Sequence, residues 1–183
     1  MFTLATLKKS TAVLALLGAV AGPAAAMAPV TGIDVTTESM AVADEEAMAY
    51  LGSLTTDLEA AIAERVMLSE GDEAVDVDVD IRNVAMNGTP IGPDATEFNQ
   101  LDGVVTFKIS GTEQSVYSAP VQIAAYQADG FVPEGFIVIT PDNADFYTAM
   151  VQGFAIETAA LLDNVDGGMV KSMRASNAAV GSD

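Results

Sequence analysis

Three aspartates with strand spacing are the residues most clearly suited to chemistry. Asp76, Asp78 and Asp80 alternate with valines, so an extended backbone would place them on one face, roughly 6.6 to 7 Å apart in succession. Carboxylate oxygens are the ligands that calcium and other hard cations prefer. The pattern predicts a low-affinity divalent-cation site at these three residues, with calcium as the ion and no other cofactor.

An EF-hand, however, does not match this segment. A loop that began at Asp76 would need glycine at its sixth position and glutamate at its twelfth, whereas the chain has Ile81 and Asn87 there. The alternative is a solvated strand face, which is what a run of charges usually is. On such a face the aspartates would pair with Arg82 and Lys108 at little net energy.

The chain contains no histidine and no cysteine. These absences remove the Ser-His-Asp and Cys-His mechanisms and the usual zinc ligands. Paired carboxylates can hydrolyse glycosides without histidine, but a pair identifies nothing in a chain with 26 acidic residues. We therefore expect a non-catalytic binding protein and keep two alternatives, an acidic cation-binding surface protein and a carboxylate-based hydrolase.

A polar segment over residues 87–100 is the longest irregular piece predicted inside the domain. Long loops on a rigid scaffold often carry recognition, whereas the alternative is a plain flexible connection between two strands. The residues that would take part in recognition are Asn87, Thr89, Asp94, Glu97 and Phe98.

Residues 1–26 have the three parts of a signal peptide. Lys8 and Lys9 precede an apolar run over residues 11–22, and small residues follow as far as Ala26. The run is shorter than the roughly 20 residues that span a bilayer. We expect cleavage after Ala26 and a periplasmic or secreted product with no membrane span. The lack of cysteine also excludes the usual bacterial lipid anchor.

The charge balance is strongly acidic. The full chain carries a net charge of −19, and loss of the predicted signal peptide removes Lys8 and Lys9 but none of the 26 acidic residues, which takes the charge to −21. Such a surface repels phosphates, so nucleic acid is excluded as a partner. Carboxylates that keep a protein soluble in salt favour a marine or halophilic source.

Two segments have the three- and four-residue spacing of amphipathic helices. The first runs from about residue 44 to 67. The second runs from about 142 to 163, with Thr140 as its cap. Gly167 and Gly168 are expected to end the helical pattern and leave a frayed tail.

Three segments alternate with the period of a half-buried strand. Residues 74–85 put aliphatic side chains on one face and charged ones on the other, and residues 101–110 and 115–127 flank Gly111 as an antiparallel hairpin. A short piece over 33–37 is expected to be an edge strand.

Helices with one apolar stripe and strands with one apolar face pack economically in two layers. We predict an α+β two-layer sandwich, with an antiparallel sheet of about four to five strands and two helices on one face. The domain is expected to cover residues 27–165, between the signal peptide (1–26) and a flexible C-terminal tail (166–183).

The helix, the alternating strand, the polar loop and the hairpin VTFKISGTEQSVYSAPVQIAAY together resemble the small α/β domains of Gram-negative envelope lipoproteins of unassigned function. The resemblance covers residues 44–163. The chain departs from those proteins in lacking the lipid-bearing cysteine, so tethering does not carry over. What the resemblance implies is an envelope-associated domain, with another envelope protein or a polymer as its partner.

Overall fold

The computed structural model describes residues 27–38, 41–42, 45–88, 98–126 and 142–180. The predicted signal peptide and most of the predicted recognition loop lie outside these ranges.

The described residues form an α+β fold, as predicted. Its strands are β1 (Val30–Thr36), β2 (Ala41–Val42), β3 (Val75–Gly88), β4 (Phe98–Ile109) and β5 (Ser115–Tyr126). Its helices are α1 (Glu45–Met48), α2 (Leu51–Ala63), α3 (Asn143–Leu162) and α4 (Gly167–Val180). The strands make one sheet in the order β1-β3-β4-β5, with β2 also paired to β3. No helix of the described part is long and apolar enough to cross a membrane.

The sheet is mixed, which corrects the prediction of an antiparallel sheet. Both β1 and β2 run parallel to β3, whereas β3, β4 and β5 are successively antiparallel. A parallel neighbour requires a long crossover, and the segment that contains α1 and α2 provides it between β1 and β3. Strand periodicity alone does not contain this information, because it is the same for both directions.

Alternation along the strands divides the sheet into two unlike faces. On β3, the exposed fraction is 1% or less for Val75, Val77, Val79 and Ile81. The side chains between them are partly exposed. The buried face belongs to one apolar cluster that also includes residues of α2 and α3. Helix α2 packs against α3 and β1, and α3 packs against β4 and β5.

The first predicted helix is divided in two. Helix α1 ends at Met48 and α2 begins at Leu51, with Tyr50 in the turn between them. The Tyr50 ring stacks on that of Tyr147 in α3, with ring centroids 4.6 Å apart. This tertiary contact accompanies a break that the helical spacing did not predict.

The second predicted helix matches α3, but its cap differs. Asp142, rather than Thr140, is the N-cap residue, because its side chain accepts the Asp145 N–H at 2.9 Å. The Asp145 side chain in turn accepts the Asp142 N–H at 3.1 Å. The two aspartates therefore form a reciprocal capping box.

Helix α4 occupies most of the segment predicted to be a frayed tail. The Asp166 carboxylate accepts the Met169 N–H at 2.8 Å, so it caps the helix that the two glycines begin. Val170 is fully buried, and Arg174 donates to the Ser110 carbonyl at 2.9 Å. Gly167 and Gly168 were expected to break a helix, whereas they lie in the first turn of a new one.

Candidate functional site

The polar face of the sheet carries the predicted aspartates. Parallel pairing sets Asp34 of β1 beside Asp78, and antiparallel pairing sets Lys108 of β4 beside Asp76. We call this surface the open face and define it by the following side chains: Asp34, Thr36, Asp76, Asp78, Asp80, Arg82, Asp102, Val104, Thr106 and Lys108.

Each of the three predicted ligands has its own protein partner. The Asp76 carboxylate accepts the Gly111 N–H at 3.1 Å. Asp78 pairs with Lys108 at 2.6 Å, and Asp80 pairs with Arg82 at 2.7 Å. The strand alternation therefore places the aspartates on one face, and each of them contacts a different partner: a backbone N–H, a lysine or an arginine.

Lys108 lies between two carboxylates. Its ammonium group is 2.6 Å from Asp78 and 2.8 Å from Glu113. The hydrogen bonds that it donates, first to Asp78 and then to Glu113, raise the pKa of Lys108 above its ordinary value. The hydrogen bond from Lys108 also lowers the pKa of Glu113. The lysine is therefore held charged between the two carboxylates.

Among the described residues, no group of three or more acidic, histidine or cysteine side chains could hold a metal ion. The ion pairs with Lys108 and Arg82 account for two of the three predicted ligands. Cation binding by Asp76, Asp78 and Asp80 stays a prediction, and the pairing of these residues with bases favours the alternative of a solvated, charge-paired face.

A groove of about 320 Å³ lies on the open face. Four acidic and two basic residues line it together with Val79, Val104 and two threonines: Asp34, Glu38, Asp78, Asp80, Arg82, Lys108, Thr36 and Thr106. Since the acidic side chains outnumber the basic ones, the groove favours positively charged groups.

Two carboxylate oxygens on this face have no hydrogen-bond partner among the described residues. They are Asp80 Oδ1 and Asp102 Oδ1, and both atoms are shielded from solvent. The other oxygen of Asp102 accepts from Asn83 at 3.3 Å and from Gln100 at 2.5 Å. A buried carboxylate oxygen without a donor is unfavourable, but atoms this shielded are closed to a ligand in this conformation.

Asp102 was not a candidate at the sequence level. Its segment was recognised as a strand, and alternation with the inward Leu101 would have put Asp102 outward. The register of β3 against β4 then sets it opposite Asn83. Register depends on pairing between distant segments, so the single strand did not reveal the contact.

The predicted recognition loop joins β3 to β4. Asn87 and Phe98 belong to the ends of these strands, and Gly88 pairs with Phe98. Thr89, Asp94 and Glu97 lie outside the described residues. Recognition by this loop therefore stays a prediction.

A second polar cluster ties α2 to α3 on the other side of the core. The Tyr147 hydroxyl donates to Asp57 at 2.7 Å and lies 3.4 Å from the Ser53 hydroxyl. Burial, more than the nearby acid, raises the pKa of Tyr147 to about 12. Tyr147 is therefore protonated at neutral pH and acts as a hydrogen-bond donor between the helices. A base for catalysis would need a lowered pKa instead.

Comparison with known proteins finds likenesses among solved structures. No family model and no curated protein matches the chain. A crystal structure of a Xanthomonas campestris protein of family DUF330 is 13% identical, with a TM-score of 0.45, over 83% of this chain and 93% of that one. A candidate lipoprotein of Caulobacter crescentus is 10% identical, with a TM-score of 0.32, over 78% of this chain and 90% of that one.

The resemblance stated from the sequence, to small domains of Gram-negative envelope proteins, is of the same kind as these two likenesses. At such identities and TM-scores the likenesses carry no argument about function.

Proposed function

We propose that this chain is an exported, non-catalytic binding domain of the bacterial envelope, and that its open face binds a lysine- or arginine-rich segment of a partner protein. The observation that carries the proposal is the groove on the open face, which four acidic and two basic side chains line. A cationic side chain supplies both the charge and the N–H groups that carboxylates accept.

The groove supports a side-chain-sized ligand. Its volume is about 320 Å³, and its lining is acidic on balance. The net charge of the chain, −19, adds a long-range attraction for a basic partner. Lys108 and Arg82 already pair with two of the carboxylates, so a ligand would approach beside these pairs, toward Asp34 and Glu38.

The absence of histidine and cysteine from the sequence supports the non-catalytic part of the proposal. A carboxylate hydrolase would need one acid with a raised pKa beside an ionised partner. The hydrogen bond from Lys108 lowers the pKa of Glu113, which is the opposite of what such an acid needs.

The test is a calorimetric titration of the protein with an oligolysine peptide at low salt. The double variant Asp34→Asn with Asp80→Asn removes two charges from the open face. Its matched control, Glu157→Gln with Asp163→Asn, removes two exposed charges from α3 and its end. We expect the first variant to weaken binding by about tenfold, or about 1.4 kcal/mol, and the control to weaken it far less.

Equal weakening by the two variants would contradict the proposal, because binding would then follow total charge alone. A separate titration with calcium addresses the alternative function. Heat release at millimolar calcium that disappears in Asp76→Asn and Asp78→Asn would favour the cation-binding protein instead.

A further inference from the structure

Four large apolar side chains remain exposed near the start of β1. Their exposed fractions are 39% for Met27, 56% for Met67, 56% for Leu68 and 37% for Met169. We call these four residues the apolar rim. Elsewhere in the described part of the chain, the large apolar side chains exposed to this degree are Met48, at 62%, and Ile156, at 57%.

Backbone hydrogen bonds hold two rim residues beside the start of β1. The Val30 N–H donates to the Met67 carbonyl at 2.9 Å, and the Val30 carbonyl accepts the Ser69 N–H at 2.9 Å. Leu68, between them, forms a parallel bridge with Val30.

The other two rim residues meet at the same end of the molecule. Met27 lies three residues before the start of β1 and forms an antiparallel bridge with Asp166. The Asp166 carboxylate accepts the Met169 N–H at 2.8 Å. The rim therefore surrounds the point at which the chain enters the fold.

The length of the preceding segment limits where this end can lie. The predicted apolar run ends at Gly22, five residues before Met27. Five residues span at most roughly 18 Å when fully extended. While the run is inserted in a bilayer, Met27 must therefore stay within roughly 18 Å of the point where the run leaves the lipid.

We propose that the apolar rim lies against the surface of the bilayer that holds residues 1–26, until these residues are cleaved. Burial of exposed methionine and leucine in lipid is favourable, and unbranched methionine adapts to an irregular surface. The net charge of −19 opposes contact with anionic lipids, so contact is expected to be stronger with a zwitterionic bilayer. The inference rests on the predicted signal peptide and is independent of the open face.

Native methionines allow a direct test without labels. The full chain is reconstituted in phosphatidylcholine vesicles and exposed to a charged, water-soluble oxidant, and sulfoxide formation at each methionine is followed by mass spectrometry. We expect Met67 to be oxidised about fivefold more slowly than Met48, although both side chains are exposed in the fold. After residues 1–26 are removed and the vesicles are omitted, the two rates should be similar.

Matched variants separate lipid contact from other causes. Leu68→Ser should reduce the protection of the rim methionines in vesicles, whereas Ile156→Ser, at an equally exposed position on α3, should not. Similar oxidation of Met67 and Met48 in the vesicles would overturn the proposal. Protection that needs no vesicles and grows with protein concentration would also overturn it, in favour of contact with a second copy.

Discussion

The two faces of the sheet show how one strand can serve two purposes. On β3, Val77 and Val79 are fully buried, and the aspartates beside them contact bases and backbone on the open face. The buried face obtains its stability from close packing, which is intolerant of changes in shape. The open face has exposed ion pairs, which contribute little to stability. Stability therefore depends on one side of β3, and the proposed recognition would use the other side.

The largest expected difference between the faces concerns β4. Phe107 is fully buried on the inner face, and Thr106, its neighbour in sequence, lies on the open face. Phe107→Ala should lower the free energy of unfolding by about 3–5 kcal/mol, because it leaves a cavity. Thr106→Ala should change it by about 0.5 kcal/mol or less. Urea denaturation measures both, and similar losses would show that the open face also carries the fold.

Substitution of two separate glycines tests how tightly the residues around them are packed. A Cβ at Gly103 would lie 3.0 Å from the Asp80 carbonyl oxygen and 3.1 Å from the Phe154 ring. Gly103→Ala should therefore destabilise the fold by about 1–3 kcal/mol. Gly52 in α2 has nothing within 4 Å of the same position, so Gly52→Ala should stabilise by about 0.5–1 kcal/mol. Tolerance of alanine at Gly103 would indicate looser packing than described.

The contact between α2 and α3 contains a titrating group, the hydroxyl of Tyr147. Burial raises the pKa of Tyr147 from 10.0 to about 12, so the folded state holds this proton more firmly than the unfolded state does. The corresponding stability is present below pH 10 and is lost as the pH rises toward 12. Tyr147→Phe should reduce this loss of stability at alkaline pH, whereas Tyr117→Phe should retain it. Unfolding measured as a function of pH checks both variants. An unchanged alkaline loss in Tyr147→Phe would contradict the assignment.

The smallest expected effect on stability belongs to the open face. Lys108→Gln removes the contacts with Asp78 and Glu113, but exposed pairs are weak and screened by salt. The midpoint of thermal unfolding should fall by much less than in Gly103→Ala, and the difference should shrink as salt is added. A large shift that persists in high salt would contradict the division between the faces.

The sequence predicted what depends on local periodicity. Alternation over residues 74–85 placed the valines and aspartates of β3 correctly, and the hairpin of β4 and β5 followed from the pattern around Gly111. The sequence did not predict the parallel direction of β1, because strand direction depends on the crossover and not on the alternation within the strand. The sequence also did not predict the break between α1 and α2 at Tyr50, because the break accompanies a ring contact with a distant helix.

The candidate site was predicted only in part. Asp78 and Asp80 were identified from their spacing, but their pairing with Lys108 and Arg82 was considered merely as an alternative. The hydrogen bond from Asn83 to Asp102 depends on strand register, and helix α4 depends on the Asp166 cap and on burial of Val170. These features arise from contacts between segments that a linear pattern does not record.

The most direct test of the open face is an NMR titration of the labelled protein with the oligolysine peptide. The account predicts that amide shifts change first around Asp78, Asp80 and Thr106 in the groove, while those of Glu157 on α3 and Asp163 at its end stay in place. Shifts of equal size at acidic residues over the whole surface would contradict it, because the chain would then attract cations without a defined binding face.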